Sequence, residues 1–324
     1  MTCDLLRGLV QAAIASPSVH NVQPARWRIH GAVLVLLEDT GRRLRVGDPT
    51  GHDAAISLGA AAEGVAIAAT AEGLSTQIER LDEPAGPLRA VARLTFTPGA
   101  DADPLLPMLA RRASWRGRFR APQPADRARA AALAAEDFRL VIEPGSIDLI
   151  AARYDRASYA ILRGDKFRAE LRHWMRLRPG HADWARDGLN AEAMHLSPLE
   201  AQVAGAVLGP LFPPLDTIGV APHLLAERQG FAPAAAVGLF HRPVGEDPFD
   251  SGRAFHRRWL AIDAAGFGAN VLAALADHRE TAAALCAEHG LGPDRRLVSA
   301  FRIGLRAGER VAPARLPLDE VLLG

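Results

Sequence analysis

The stretch that most constrains this chain is Ala54 to Ala71, a run built mainly from alanine and glycine and broken by one charge, Glu63. A helix with apolar residues on every face has no side to turn to water, so the rest of the fold must enclose it. Asp53 is placed to cap its start and Gly73 to stop it. The embedded charge and the small side chains favour a buried helix over a membrane span. Enclosing it takes a large core. The sequence supplies one, with 324 residues of which 49% are hydrophobic, enough for two domains or one large one.

The neighbouring segments alternate helix and strand patterns. Apolar residues recur at helical spacing from Asp4 to Ala15. Strand-like runs follow at 26–29, 33–37, 75–80 and 88–97, rich in β-branched and aromatic residues. The segment 98–104 reads as a loop and the best internal boundary. Beyond it the pattern predicts helices over 105–112, 127–135, 148–162, 255–266 (with Ser251 as a cap) and 279–289. Strands are expected over 138–142, 234–241 and 297–305. Residues 165–230 mix aromatics, histidines, glycines and prolines irregularly, as expected of an insertion that covers a site.

Charge and motif content exclude several classes of function. The formal net charge is +1, which supplies no field for nucleic acid or an anionic membrane. Cys3 and Cys286 have no motif spacing, and the histidines lack metal-ligand spacing. Gly266-Phe267-Gly268 lacks the third glycine of a dinucleotide fingerprint. No nucleophile-elbow or P-loop motif occurs. Asp4 and the absence of a long apolar run near the start argue against a signal peptide, so a cytoplasmic location is expected.

Two polar stretches stand out instead. Pro17-Ser18-Val19-His20-Asn21-Val22-Gln23-Pro24 sets a hydroxyl, an imidazole and two carboxamides between prolines. Carboxamides both donate and accept, which suits a flat, neutral, heteroatom-edged ligand. The second stretch is Arg111-Arg112-Ala113-Ser114-Trp115-Arg116-Gly117-Arg118-Phe119. If it is extended, residues 112, 114, 116 and 118 face one side and offer guanidinium forks with a hydroxyl, a set suited to phosphate. Arginine is abundant here, since Lys166 is the single lysine among 38 basic residues, so only spacing gives such a cluster meaning.

Together these pieces resemble a known family. The loop is similar to the P-S-x-x-N-x-Q-P-W signature of the nitroreductase-like flavoproteins, departing from it at Ala25. Arg112-Ala113-Ser114-Trp115-Arg116 with Phe119 resembles that family's R-x-S-x-R…F opening, and Arg315-Leu316-Pro317-Leu318-Asp319-Glu320-Val321 its R-x-P-x-x-E-V ending. Asp48-Pro49-Thr50-Gly51 with Ile56 to Ala61 is similar to the Acg-like branch, in which two such domains are fused. The resemblance implies an α+β fold of two tandem halves, 1–100 and 101–324, forming an intramolecular pseudo-dimer with helices around antiparallel-rich sheets. Residues 165–230 would be a lid-like insertion. Ordinary members carry R-x-S-x-R before P-S-x-x-N in one chain. Here the loop lies in the first half and the arginine segment in the second, so one FMN per chain is expected between the halves.

By resemblance, Arg112, Ser114 and Arg116 would hold the phosphate and the ribityl chain or ring edge, with Arg315 helping at the phosphate. Pro17, Ser18, Asn21 and Gln23 would approach the ring, and Gly266 and Gly268 would pass near its face. The implied activity is that of an FMN-dependent oxidoreductase passing hydride from NAD(P)H to an electron-poor small molecule: a nitroaromatic, quinone or enone. The alternative is a flavoprotein that stores or sequesters FMN beneath a closed lid. No acid or base residue is assigned, because the cofactor carries the chemistry. No nucleic-acid or membrane partner is expected. A fused pair completes its own site, so a monomer suffices and a homodimer stays open.

Overall fold

The computed structural model describes residues 1–323. The first third is built from α1 (Cys3–Ala13), β1 (Ala25–His30), β2 (Val33–Glu38), α2 (His52–Ala69), β3 (Leu74–Ala85) and β4 (Leu88–Pro98). Helix α1 starts where the Thr2 side chain accepts from the Leu5 N–H at 3.2 Å, and its Leu6, Leu9, Val10 and Ala13 are buried along one stripe. The start of α2 is held by Asp48, which accepts from the Ala54 N–H at 2.9 Å, and not by the expected Asp53. Gly73 takes φ +66 after the last turn, the left-handed stop that glycine makes without strain.

The remainder comprises β5 (Phe119–Arg120), α3 (Pro124–Ala131), β6 (Phe138–Val141), α4 (Pro144–Leu162), α5 (Asp165–Trp174), β7 (Met175–Arg176) and β8 (Leu189–Asn190). There follow α6 (Pro198–Val207), α7 (Phe212–Thr217), α8 (Ala221–Leu224), β9 (Ala236–Pro243), α9 (Pro248–Ala264), β10 (Gly268–Val271), α10 (Ala274–Asp277) and α11 (Arg279–Glu288). The chain closes with β11 (Arg295–Arg306), α12 (Leu318–Val321) and β12 (Leu322–Leu323). Residues 105–112 form only a short turn at Leu106–Met108, because Pro107 removes a donor inside the run. Helix α9 begins well before residue 255. Asp247 caps it and Pro248 occupies its first turn, a start signal the apolar spacing alone does not carry, while Ser251 lies inside it and donates to Glu246 at 2.7 Å.

Two five-stranded sheets result, antiparallel throughout except at one edge. The first runs β12-β1-β2-β4-β3, and its β12 lies parallel to β1, so the far end of the chain returns to the first sheet. The second runs β10-β11-β9-β6, with β5 pairing the end of β11.

Helices α2 and α9 join the two sheet systems. A Cβ on Gly59 would run into the Phe249 carbonyl, and one on Gly252 into the Ile56 carbonyl. Each helix thus offers a glycine three residues beyond the carbonyl that the other approaches. Glu63, the lone charge of the apolar run, is buried at this crossing and accepts from Arg253 at 2.9 Å and Arg257 at 3.0 Å. Helix α2 is the one helix among the described residues long and apolar enough to cross a membrane, but 72% of that window is buried inside the fold. Gly59→Ala is expected to destabilise the protein by about 3 kcal/mol, since neither backbone can retreat without unpacking the core. Urea unfolding checks this, and an unchanged midpoint would mean that the crossing has slack.

Candidate functional site

The frayed end of α1 is where the two polar stretches meet. No basic residue stands in its last turn, so its terminal carbonyls need outside partners. Arg112, 3% exposed, donates to the Ala15 carbonyl at 2.9 Å and lies over the Trp259 ring at 4.4 Å. Arg315 donates to the same carbonyl at 3.2 Å and to Asn21 Oδ1 at 2.6 Å. A helix C-terminus favours a cation, but it carries roughly half a charge and here receives two whole ones. Neither guanidinium forms an ion pair among the described residues, and each keeps an Nε–H without an acceptor. Burial pushes Arg112 down to about 10, with Asp263 opposing. Burial and then the charge of Arg112 push Arg315 down to about 9. Two like charges, one buried and one half-buried, thus meet at one carbonyl, an arrangement that an anion would relieve.

The loop itself is strained. His20, Asn21 and Gln23 adopt φ of +45, +57 and +51, a region costly for residues with a side chain and concentrated at functional sites. His195 is the fourth such residue among those described, with φ +55. Its ring packs edge-on to Trp115 at 4.5 Å, beside the arginine stretch. Ser18 tightens the turn by accepting from the Gln23 N–H at 3.0 Å.

The two carboxamides are committed to protein. Asn21 donates to the carbonyls of Gly188 and Ala314 at 3.1 and 3.0 Å, and its oxygen accepts from Arg315. Gln23 donates to Arg186 O at 2.8 Å and accepts from the Leu316 N–H at 2.9 Å. They therefore clamp the loop, the segment 183–190 and the tail into one unit, leaving backbone, Pro17 and the Ser18 side as what the loop can offer a ligand. Beneath it lies a small cavity lined by Ser16, Pro17, Ser18, Gln23, Ala25 and Trp27 among others. Ala25, which stands where the family pattern has tryptophan, is one of its lining residues.

The arginine stretch is extended but irregular, and its alternation holds in part. Ser114 bridges Ala269 at the edge of β10, and the Trp115 N–H donates to the Ala269 carbonyl at 2.8 Å. This turns Trp115 into the core and leaves Ser114 and Arg116 on the opposite side, whereas Arg118 is exposed. Burial and then the charge of Arg116 lower the pKa of both His20 and His195. Gly268 belongs behind the stretch: a Cβ there would stand 3.0 Å from that of Trp115. Gly266 is not brought to the site. It is the exposed left-handed turn that ends α9, with φ +84 and open space around it.

Sequence reasoning passed over the clamp and the histidines. Asp187, 5% exposed, accepts from Arg176 at 2.6 Å and also pairs with Arg42, which donates to the Val22 carbonyl. The Glu170 carboxylate accepts from the backbone N–H groups of Arg45, Val46 and Gly47 at 2.6 to 3.1 Å. Gly188 must be glycine, since its φ is +70 and a Cβ would strike the Trp174 carbonyl. His256 is buried, bonds Ala60 O through Nδ1 at 2.8 Å, and is pushed down to about 3 by burial and then by Arg112. Burial and Arg116 push His20 down to about 4. Both pKa values lie below that of an unfolded histidine, so the unfolded chain binds more protons as the solution is acidified. Stability is expected to fall as pH drops from about 6.5 towards 4. Thermal midpoints across that window check this, and His256→Gln should flatten the slope.

No family model matches the chain. The acg protein of Mycobacterium tuberculosis, which carries a provisional NAD(P)H nitroreductase name, is 34% identical over 98 residues, 30% of this chain and 29% of that one. A second M. tuberculosis protein with the same provisional name is 31% identical over 81 residues, 25% of this chain and 24% of that one. The matched stretches thus span less than a third of these curated relatives. A solved structure from Anabaena variabilis, provisionally named a nitroreductase, superposes over 94% of this chain and 88% of its own, with a TM-score of 0.50 at 11% identity. The chain has a nitroreductase-like fold. Within that nitroreductase-like fold the strained loop, the arginine segment and the tail are spread over the whole sequence, yet converge at the end of α1.

Proposed function

We propose that this protein binds one FMN between the loop at 17–23 and the segment 112–118, and acts as an NAD(P)H-dependent oxidoreductase of the nitroreductase type. The observation that carries the reading is the pair Arg112, buried, and Arg315, half-buried, which share the Ala15 carbonyl, form no ion pair among the described residues and each keep an orphaned Nε–H. A phosphate monoester would supply the missing charge, and the Ser114 hydroxyl lies on the same stretch to add a contact. Pro17, Ser18 and the backbone of 20–23 would border the ring, with Arg116 at its edge. The bound flavin would accept hydride from a reduced nicotinamide and deliver it to a nitroaromatic, quinone or enone. This chain's residues would orient the ring, neutralise charge at its edges and exclude water.

The reciprocal glycine crossing of α2 and α9 supports reading residues 1–100 and 101–324 as an intramolecular pseudo-dimer, with 165–230 as its lid. Such a unit completes its site within one chain, so a monomer in the cytoplasm is the expected state. The absorbance spectrum of the purified protein tests the cofactor: oxidised-flavin bands support it, and none after incubation with FMN overturns it.

One observation favours a second reading. Segment 183–190 is fastened onto the loop by Asn21, by Gln23 and, through Arg42, by Asp187, as a closed lid would be. A lid that stays shut would make the protein a store for FMN. Rapid bleaching by NADPH supports the oxidoreductase, and bleaching by dithionite alone supports storage.

A further inference from the structure

Arg302 on β11 is 5% exposed; among the described residues its Nε–H has no acceptor, and its nearest carboxylate oxygen, Glu227 Oε2, is 3.9 Å away. That is beyond hydrogen-bond distance. A guanidinium so desolvated is costly unless something completes it. The fold has nonetheless made room for it. A Cβ on Gly230 would stand 2.5 Å from Arg302 Nη1, and Phe119 lies against Gly304, where a Cβ would come within 2.6 Å of the ring. The guanidinium carbon sits 5.0 Å from the Phe231 ring centre and 5.7 Å from that of Phe119, so aromatic faces wall it on two sides. Tyr154 packs against Phe231 at 5.7 Å. Arg116, three residues before Phe119, forms no ion pair among the described residues; burial lowers its pKa, and the charge of Arg302 lowers it further.

Arg302 therefore stands apart from the phosphate pair. It lies against Phe119, Phe231 and Glu227, whereas Arg112 lies over Trp259 and shares the Ala15 carbonyl with Arg315. Glu227 and Gly230 come from the end of the lid-like region, so whatever fills this place also touches the element that covers the site.

We propose that Arg302, together with Arg116, forms a second anion-binding pole in the cleft that takes the carboxylate of an aromatic substrate. This rests on the reading of the cleft as a flavin site open to substrate. A planar carboxylate matches the guanidinium fork by two parallel hydrogen bonds, and the phenyl walls favour an aromatic ring behind it. The competing source of the same chemistry is the flavin's own oxygen-bearing ring edge, and the test separates the two.

The protein as purified, its flavin content measured first, is titrated calorimetrically with 4-nitrobenzoate and with the uncharged 4-nitrobenzamide. The carboxylate is expected to bind about tenfold to a hundredfold tighter, the range of a charge-assisted hydrogen-bonded pair. Arg302→Met should abolish that preference while flavin content and affinity for the amide stay unchanged. Arg302→Lys, which keeps charge and bulk, should retain part of it. Equal affinities in the unaltered protein overturn the proposal. So does an Arg302→Met protein that loses its flavin, because the pole then serves the cofactor. Equilibrium binding needs no turnover, so a protein that never reduces its flavin still decides this question. The spectrum alone decides the cofactor.

Discussion

The doubly substituted Arg112→Ala, Arg315→Ala protein is expected to purify colourless under conditions in which the unaltered protein is expected to purify yellow. Each guanidinium contributes a charge-assisted contact of about 1.5–3 kcal/mol, so removing both should weaken FMN by roughly a hundredfold to ten-thousandfold. Both residues also hold the Ala15 carbonyl, and Arg112 covers Trp259, so some loss of stability is expected as well. The Arg→Lys pair separates the two effects, since it keeps the charges but loses the forks and should bind FMN with intermediate affinity. Titration of apoprotein with FMN reads both variants. Undiminished binding in the alanine pair would remove the phosphate assignment. The same pair sets a pH limit: with Arg315 pushed down to about 9 before ligand arrives, affinity should fall as pH rises past that value, because binding then requires a proton.

The second large effect is expected at the proposed lid. Asp187→Asn leaves Arg176 and Arg42 without their shared carboxylate, and Arg176 is itself 4% exposed. Breaking a buried pair from one side costs about 3–5 kcal/mol, here charged mainly to the docking of 183–190 on the loop. Amide exchange in that segment should rise, and flavin bleaching by NADPH should accelerate at least about tenfold if the lid limits access. Dithionite reduction should not change. Glu170→Gln, which weakens the carboxylate seated on the 45–47 amides, is the milder companion and should act in the same direction. Faster amide exchange with unchanged bleaching would show that the lid does not gate the nicotinamide.

The Ala54–Ala71 run announced a core helix because an all-round apolar surface admits no other place. The strands expected over 26–29, 33–37 and 88–97 followed from β-branched and aromatic content, whereas the one expected over 75–80 runs on to Ala85. Where reading by periodicity slipped, a backbone donor or a cap had decided the matter. Pro107 reduced one expected helix to a turn, and Asp247 with Pro248 began another a full two turns early. Gly266 looked like a ligand-facing glycine because glycines are permissive, but the permission was used to turn the chain out of α9.

The sequence by itself determined the inventory: which stretches carry guanidiniums, which carry carboxamides, and that the chain must wrap a helix apolar on every side. These follow from composition and local spacing, which act over a few residues. Only the tertiary structure decided what each group spends its bonds on. Asn21 and Gln23, apt for a ligand when read in isolation, are consumed by carbonyls and an amide more than 160 residues away. Arg112 and Arg315, singled out in an arginine-rich sequence only by a family resemblance, are left with unmet charge because one is buried and the other half-buried at one helix end, with no carboxylate bonded to them among the described residues. Hydrogen bonds and desolvation are settled by neighbours in space, and distance along the chain says little about who those neighbours are.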